Sequence, residues 1–229
     1  MKETILVSAY AETAQFKIPS WVGTYERTYP LPPLSTVIGM VHNLCEWKEY
    51  HPMDVSVCGK GYITTAIEKR WKGGMRAKTE TKDFKARFPL RVQDESGFSG
   101  WVSVPVNSEF LNDLELRLHI YPHNSEDLEI IYKGLTNPPI FPSLGRYGDL
   151  LRIDDVKVVR LNEEPKKTML DLNAYSQNFS GSGTRFKIHK NYEIVKNKRV
   201  FVDKNVILLS ADTEVEAVTD NCGNPVFLI

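Results

Sequence analysis

An α+β fold is predicted for this 229-residue chain, and three observations predict it. Leu114, Leu116, Leu118 and Ile120 alternate with Glu115, Arg117, His119 and Tyr121, the period-two pattern of a half-buried strand. Val37, Ile38, Val41, Leu44 and Cys45 recur at helical spacing and make one apolar stripe. Stretches rich in β-branched and aromatic residues, Lys60–Trp71 and Tyr192–Leu209, fall between and after these segments.

Taken in chain order, Thr4–Tyr10 reads as a first strand. The segment from Phe16 to Met40 then passes through Pro30, Pro32 and Pro33, which fix φ near −65° and force the residues before them into extended backbone. Ser35 or Thr36 is placed to cap a helix expected over Ser35–Trp47. Gly39 costs that helix up to about 1 kcal/mol relative to Ala, so a close approach to another backbone is expected there. Lys60–Trp71 runs into Gly73-Gly74, a pair suited to a tight hairpin turn. Phe84–Gln93 is the expected returning strand, confined to an edge by Pro89. After the Leu114–Ile120 strand, Ser125 or Asp127 starts a second helix through Tyr132, stopped by Gly134 and Asn137-Pro138-Pro139. Val156–Leu161 is a fourth core strand.

Strand, helix, strands, strand, helix, strand is the split βαβ order of a ferredoxin-like domain, the architecture also used by RNA-recognition modules. Residues 1–165 are assigned to that domain, with a protruding basic β-hairpin inserted at about 68–93. Residues 166–229 form a small C-terminal β-rich extension, with a flexible linker expected at Ser180–Gly183 and a last strand at Pro225–Ile229.

Apolar residues make up 41% and charged residues 25%, as in a folded globular protein rather than a disordered one. No apolar run approaches the about 20 residues of a membrane span, and Cys45, Cys58 and Cys222 spell neither a disulfide framework nor a zinc knuckle. A reducing, cytoplasmic setting without a membrane partner is expected. Lys and Arg balance Asp and Glu at 29 each, which argues against a polyanion ligand until the distribution is read. Residues 69–91 hold Lys69, Arg70, Lys72, Arg76, Lys78, Lys82, Lys85, Arg87 and Arg91 against only Glu80 and Asp83. Residues 185–204 hold seven cations against Glu193 and Asp203. A chain polarised in this way can hold a polyanion on one face and proteins on another.

The basic segment is the first candidate site, with Trp71, Phe84 and Phe88 offering ring faces for unstacked bases or, alternatively, forming the hairpin's own core. The loop Ser143-Leu144-Gly145-Arg146-Tyr147-Gly148 is the second: glycines admit a phosphate close to the backbone, and Arg146 adds a two-pronged donor. Lys17, Arg27 and Tyr29 complete the set of candidate RNA-binding residues. His42, His51, His119, His123 and His189 are the candidates for any acid–base chemistry, His119 being placed on the polar face of its strand. No HExxH, GxxxxGK[ST], GxSxG or paired-Asp constellation is present, so neither a metal nor a cofactor is expected.

Two motifs carry a family resemblance. Ala14, Phe16 and Pro19, followed by Tyr29-Pro30-Leu31-Pro32-Pro33, Ser35 or Thr36, and Gly39, resemble the N-terminal signature of the CRISPR-associated protein 5 family, a branch of the RAMP superfamily. Phe141-Pro-Ser-Leu-Gly-Arg-Tyr-Gly-Asp-Leu-Leu151 is similar to that family's glycine-bearing loop before its last core strand. The resemblance implies a non-catalytic RNA-binding subunit of a type I, I-B-like Cascade complex. Such a subunit caps the 5′ handle of the crRNA and joins the repeated backbone subunit and the large subunit, with target DNA nearby, in antiviral defense or RNA-guided DNA targeting. It further implies that the basic hairpin grips the guide RNA. Some relatives cut repeat RNA without metal, so a metal-independent endoribonuclease is the alternative; here no Lys-His pair occurs in the 110–125 strand.

Overall fold

The computed structural model describes residues 2–19, 25–177, 183–196 and 198–229; most of the Ser180–Gly183 linker therefore lies outside the described residues. In chain order the elements are β1 (Glu3–Ala14), β2 (Tyr25–Glu26), α1 (Leu34–Leu44), β3 (Met53–Ala77), α2 (Lys82–Arg87), β4 (Leu90–Asp94) and β5 (Gly97–Pro122). There follow α3 (Asp127–Thr136), β6 (Arg152–Arg160), β7 (Lys166–Met169), β8 (Asn173–Ser176), β9 (Thr184–Val195), β10 (Lys198–Leu209), β11 (Glu214–Thr219) and β12 (Pro225–Val226). The fold is mixed, mostly antiparallel sheet with few helices.

The chain divides into two units, and the long strands β3 and β5 contribute to both. The first unit comprises residues 1–16, 29–64 and 110–229. Its strands run in the order β6-β1-β5-β3-β8-β10-β9. β1 lies next to the edge strand β6 and pairs antiparallel with it and with β5 (Ile5 opposite Ile120, Val7 opposite Leu118). Ile5, Val7, Leu114, Leu118 and Ile120 are completely buried, as the alternation requires. α1 buries Leu34, Val37, Ile38, Met40, Val41 and Leu44, so the apolar stripe faces the core. β7, β11 and β12 form a separate small sheet, and the backbone of Ile229 pairs with that of Val55.

Several local expectations are corrected. α1 begins one residue early, at Leu34, with Pro33 as its cap residue and no side-chain cap; the proline has already set the entry angle. A Cβ on Gly39 would meet nothing within 4 Å; the close approach belongs instead to Gly134, where a Cβ would stand 3.0 Å from the Leu44 carbonyl oxygen. That packing carries α3 through Gly134 to Thr136 rather than ending it.

The second unit comprises residues 17–28 and 65–109. The expected turn at Gly73-Gly74 is absent, and β3 continues to Ala77. Gly73 is required for a different reason: a Cβ there would lie 2.1 Å from the ring of Trp101. The expected returning strand Phe84–Gln93 is half helix. Thr81 accepts a hydrogen bond from the Phe84 amide and caps α2, and only after Pro89 does β4 pair with β5, Leu90 opposite Trp101. Phe84 and Phe88, one helical turn apart, are both buried with ring centroids 4.8 Å apart and form this unit's core. The reading of these two rings as free stacking platforms is therefore overturned. Trp71 remains 54% exposed.

Candidate nucleic-acid interface

The cations of the second unit fall into two groups, those held by carboxylates and those without one. Glu26, nearly buried on β2, accepts from Lys17 at 2.5 Å and also pairs with Arg70, which reaches Glu68 at 2.6 Å. Glu109 accepts from Tyr25 at 2.8 Å and from the Thr28 amide at 3.0 Å, with Arg27 at 3.9 Å. Arg76 donates to Ser96 at 2.7 Å and Asp94 at 3.2 Å. Glu80 holds Lys85 at 2.8 Å and Arg91 at 2.6 Å, and the bond from Lys85 leads in keeping its carboxyl below the usual range. Arg87 lies 5.5 Å from the centre of the Phe88 ring. Lys72 is exposed on β3. Lys69, Lys78 and Lys82 are exposed and have no carboxylate partner among the described residues. Lys17, Arg27, Arg70, Lys72, Arg76, Lys78, Lys82, Lys85 and Arg87 thus share one unit, while Tyr29, Ser143, Gly145 and Arg146 belong to the other.

The loop before β6 is rigidly built. Asp149, 4% exposed at its side chain, accepts from the Gln15 amide at 2.9 Å, the Arg146 amide at 3.2 Å, and Nε and Nη2 of Arg146 at 3.1 and 2.9 Å. Arg146 also lies over the ring of Phe110 at 4.7 Å. Gly145 has φ of 108°, and a Cβ on it would stand 2.9 Å from the Gln15 carbonyl oxygen, so glycine is required on both counts. Ser143 bridges to Leu150, and Leu144 is buried. The guanidinium expected to reach outward is turned onto Asp149, a carboxylate that sequence reasoning did not assign. What the loop exposes instead is apolar: Phe141 at 87% and Tyr147 at 99%.

Tyr29 is also displaced from its expected part. It is buried, its hydroxyl donates to the Lys187 carbonyl at 3.1 Å, and its ring meets Phe186 edge-on at 5.9 Å, so it anchors β9. Burial pushes its hydroxyl pKa upward.

All five histidines lie in the first unit, and His42 and His51 stand side by side with ring centres 6.2 Å apart. His42 Nδ1 donates to the Ile38 carbonyl at 2.8 Å, leaving Nε2 to accept from the His51 amide at 2.9 Å; burial lowers the pKa of His42. His51 Nδ1 lies 3.0 Å from Asp127, and Trp47 stacks on its ring at 3.9 Å. The His123 amide donates to Pro52, and its Nε2 lies 3.1 Å from Asp54, which also takes Lys190. Burial raises the Asp54 carboxyl, but the bonds from Lys190 and His123 outweigh it and bring it below the usual range. His189 pairs with Asp203. His119 is not on an open polar face. It is completely buried, 3.1 Å from Asp220, with Nδ1 lacking any partner among the described residues.

No group of three or more His, Cys, Asp and Glu able to hold a metal occurs among the described residues. Among those residues, no helix is long and apolar enough to cross a membrane.

No family model matches the sequence, and no curated protein matches it. Solved structures do. A chain of a CRISPR RNA-guided surveillance complex shares the fold with a TM-score of 0.57 at 15% identity, over 93% of this chain and 91% of that one. A chain described as a Cas protein has a TM-score of 0.45 at 14% identity, over 90% of this chain and 95% of that one. A CRISPR protein from Archaeoglobus fulgidus has a TM-score of 0.43 at 13% identity, over 99% and 98%.

Proposed function

We propose that this chain is a non-catalytic RNA-binding subunit of a type I CRISPR surveillance complex, of the I-B-like kind, that caps the 5′ handle of the guide RNA. The observation that carries the reading is the cation-rich second unit. There Lys69, Lys78 and Lys82 have no carboxylate partner among the described residues, and Arg76 and Lys85 share the unit in exposed pairs weak enough to exchange for phosphate. The fold shared with a chain of an RNA-guided complex supports it. So does the strand order β6-β1-β5-β3 with α1 and α3 as its crossovers, which we read as a ferredoxin-like core. On this reading residues 1–165 form the RNA-binding domain and 166–229 a β-rich extension. The exposed apolar residues Phe141 and Tyr147 then serve contacts with the backbone or large subunit. Fluorescence anisotropy with handle RNA over a salt series tests this. Lys69→Ala, Lys78→Ala and Lys82→Ala together reduce the slope of log K against log salt by about 2 if each cation meets one phosphate of a single strand. An unchanged slope refutes the assignment.

A second reading, the metal-independent endoribonuclease, is favoured by one arrangement: His51 oriented by Asp127, and His123 by Asp54 with Lys190 alongside. Repeat RNA incubated with the protein in EDTA decides between the two. Specific cleavage lost in His51→Ala or His123→Ala establishes the nuclease.

A further inference from the structure

The β9–β10 hairpin, wholly within the first unit, carries a second feature of the kind that binds nucleic acid. In its antiparallel register Tyr192 faces Phe201 and Ile194 faces Arg199; beyond a bulge, His189 faces Asp203. Directly opposed residues share a sheet face, so Tyr192, Ile194, Arg199 and Phe201 line one side. The His189 ring stacks on Phe201 at 4.3 Å and 20°, Tyr192 meets Phe201 edge-on at 6.2 Å, and the Arg199 guanidinium lies 4.7 Å from the Tyr192 ring centre. Tyr192 and Phe201 remain 45% and 47% exposed. The one carboxylate among these rings, Asp203, is taken by Lys187 at 2.9 Å and by His189. Arg199 has no carboxylate partner among the described residues, and Lys196 and Lys198 add two exposed cations near the tip.

We propose that this hairpin face binds single-stranded nucleic acid, independently of the cation-rich second unit. Bases stack against Phe201 and Tyr192, and Arg199, displaced from the Tyr192 ring, moves with Lys196 and Lys198 onto the phosphates. Aromatic rings flanked by cations on an open strand pair suit unstacked bases, because every base offers a π face while a duplex hides its own. The shared ligand chemistry is a single-stranded polynucleotide, and its sugar is left for experiment to decide.

The test is anisotropy of the full chain with labelled oligouridylate, oligothymidylate and duplex DNA of about 12 nucleotides, within the range of site sizes known for such surfaces. Phe201→Leu and Tyr192→Leu keep apolar bulk and remove the ring, and each is expected to weaken single-strand binding about tenfold. A loss seen only with oligouridylate assigns the face to RNA; an equal loss with oligothymidylate assigns it to single strands of either sugar. Phe201→Trp serves as a reporter whose added emission a stacked base quenches. The quench persists when Lys69, Lys78 and Lys82 are changed to Ala, which separates this face from handle binding by the second unit. Single-strand affinity unchanged in both leucine variants, duplex binding equally tight and equally insensitive, or no quench at saturating oligonucleotide each overturns the proposal.

Discussion

Asp149→Ala tests whether the loop before β6 is held by a single buried carboxylate. The side chain accepts from the Gln15 amide, the Arg146 amide and the Arg146 guanidinium, and it has almost no contact with water. Alanine removes the carboxylate that accepts from a buried amide and from a guanidinium. Breaking a fully buried pair costs about 3–5 kcal/mol. The Arg146 side chain is 38% exposed, so solvent screens part of that loss, and about 3 kcal/mol is the working figure. Arg146→Ala is far milder, about 1 kcal/mol, because the carboxylate keeps both amide donors and gains water in place of the guanidinium. For a unit of this size, 3 kcal/mol lowers Tm by roughly 6–12 °C. Thermal and urea unfolding of Asp149→Ala, Asp149→Asn and Arg146→Ala measure the asymmetry, with the asparagine expected between the two because it can still accept from the Gln15 amide. Equal losses for Asp149→Ala and Arg146→Ala, or a loss below about 1 kcal/mol for the former, would refute the idea that the aspartate organises the loop. The same geometry makes Arg146→Ala a weak RNA-binding variant, since its guanidinium is already engaged.

Two further outcomes follow from buried groups. Burial raises the Asp220 carboxyl, but the bonds from His119 and from Asn224 outweigh it and bring its pKa down to about 2. Its folded value lies below its unfolded one, so this stabilisation is complete above about pH 4–5 and is lost as pH falls toward 2; it is worth about 2 kcal/mol, and Asp220→Asn flattens acid unfolding in that window. Burial pushes the Cys45 and Cys58 thiols up to about 11, while Cys222 is exposed; a thiol reagent at pH 8 should label Cys222 quickly, the partly buried Cys45 slowly and Cys58 only on unfolding.

What could be read from the sequence was what repeats locally. The stripe of α1 and the alternation of β5 gave helix and strand correctly because core-facing residues recur at 3.6 and 2. The basic segment was misread because Gly73-Gly74 fits a turn as well as a strand packed under Trp101, and only the tertiary neighbour decides. A signal for α2 was present and passed over: Thr81 before an i,i+4 pair of phenylalanines. The counter-ions were beyond reach. Glu26 finds Arg70, and Asp149 finds Gln15, across sequence distances that no periodicity spans. His119 shows the converse failure, because a polar position on an alternating strand was covered by the turn that holds Asp220.

That a neutral chain can still present a polyanion site depends on where its carboxylates sit and how firmly they hold. Glu80 is the most instructive case, since it is one of only two acids within residues 69–91 and ties up both Lys85 and Arg91. Exposed pairs of this kind contribute little to folding. They do hold the cations near one another, and they compete with phosphate for them. Glu80→Gln removes the competitor and frees two cations without removing either. If both reach the RNA, handle affinity at low salt rises and the slope of log K against log salt steepens by up to about 1.4. The melting temperature should barely move. Should affinity fall instead, Glu80 is positioning Lys85 and Arg91 for the ligand rather than opposing it; should nothing change, these two cations lie outside the interface and the binding surface narrows to Lys69, Lys78 and Lys82.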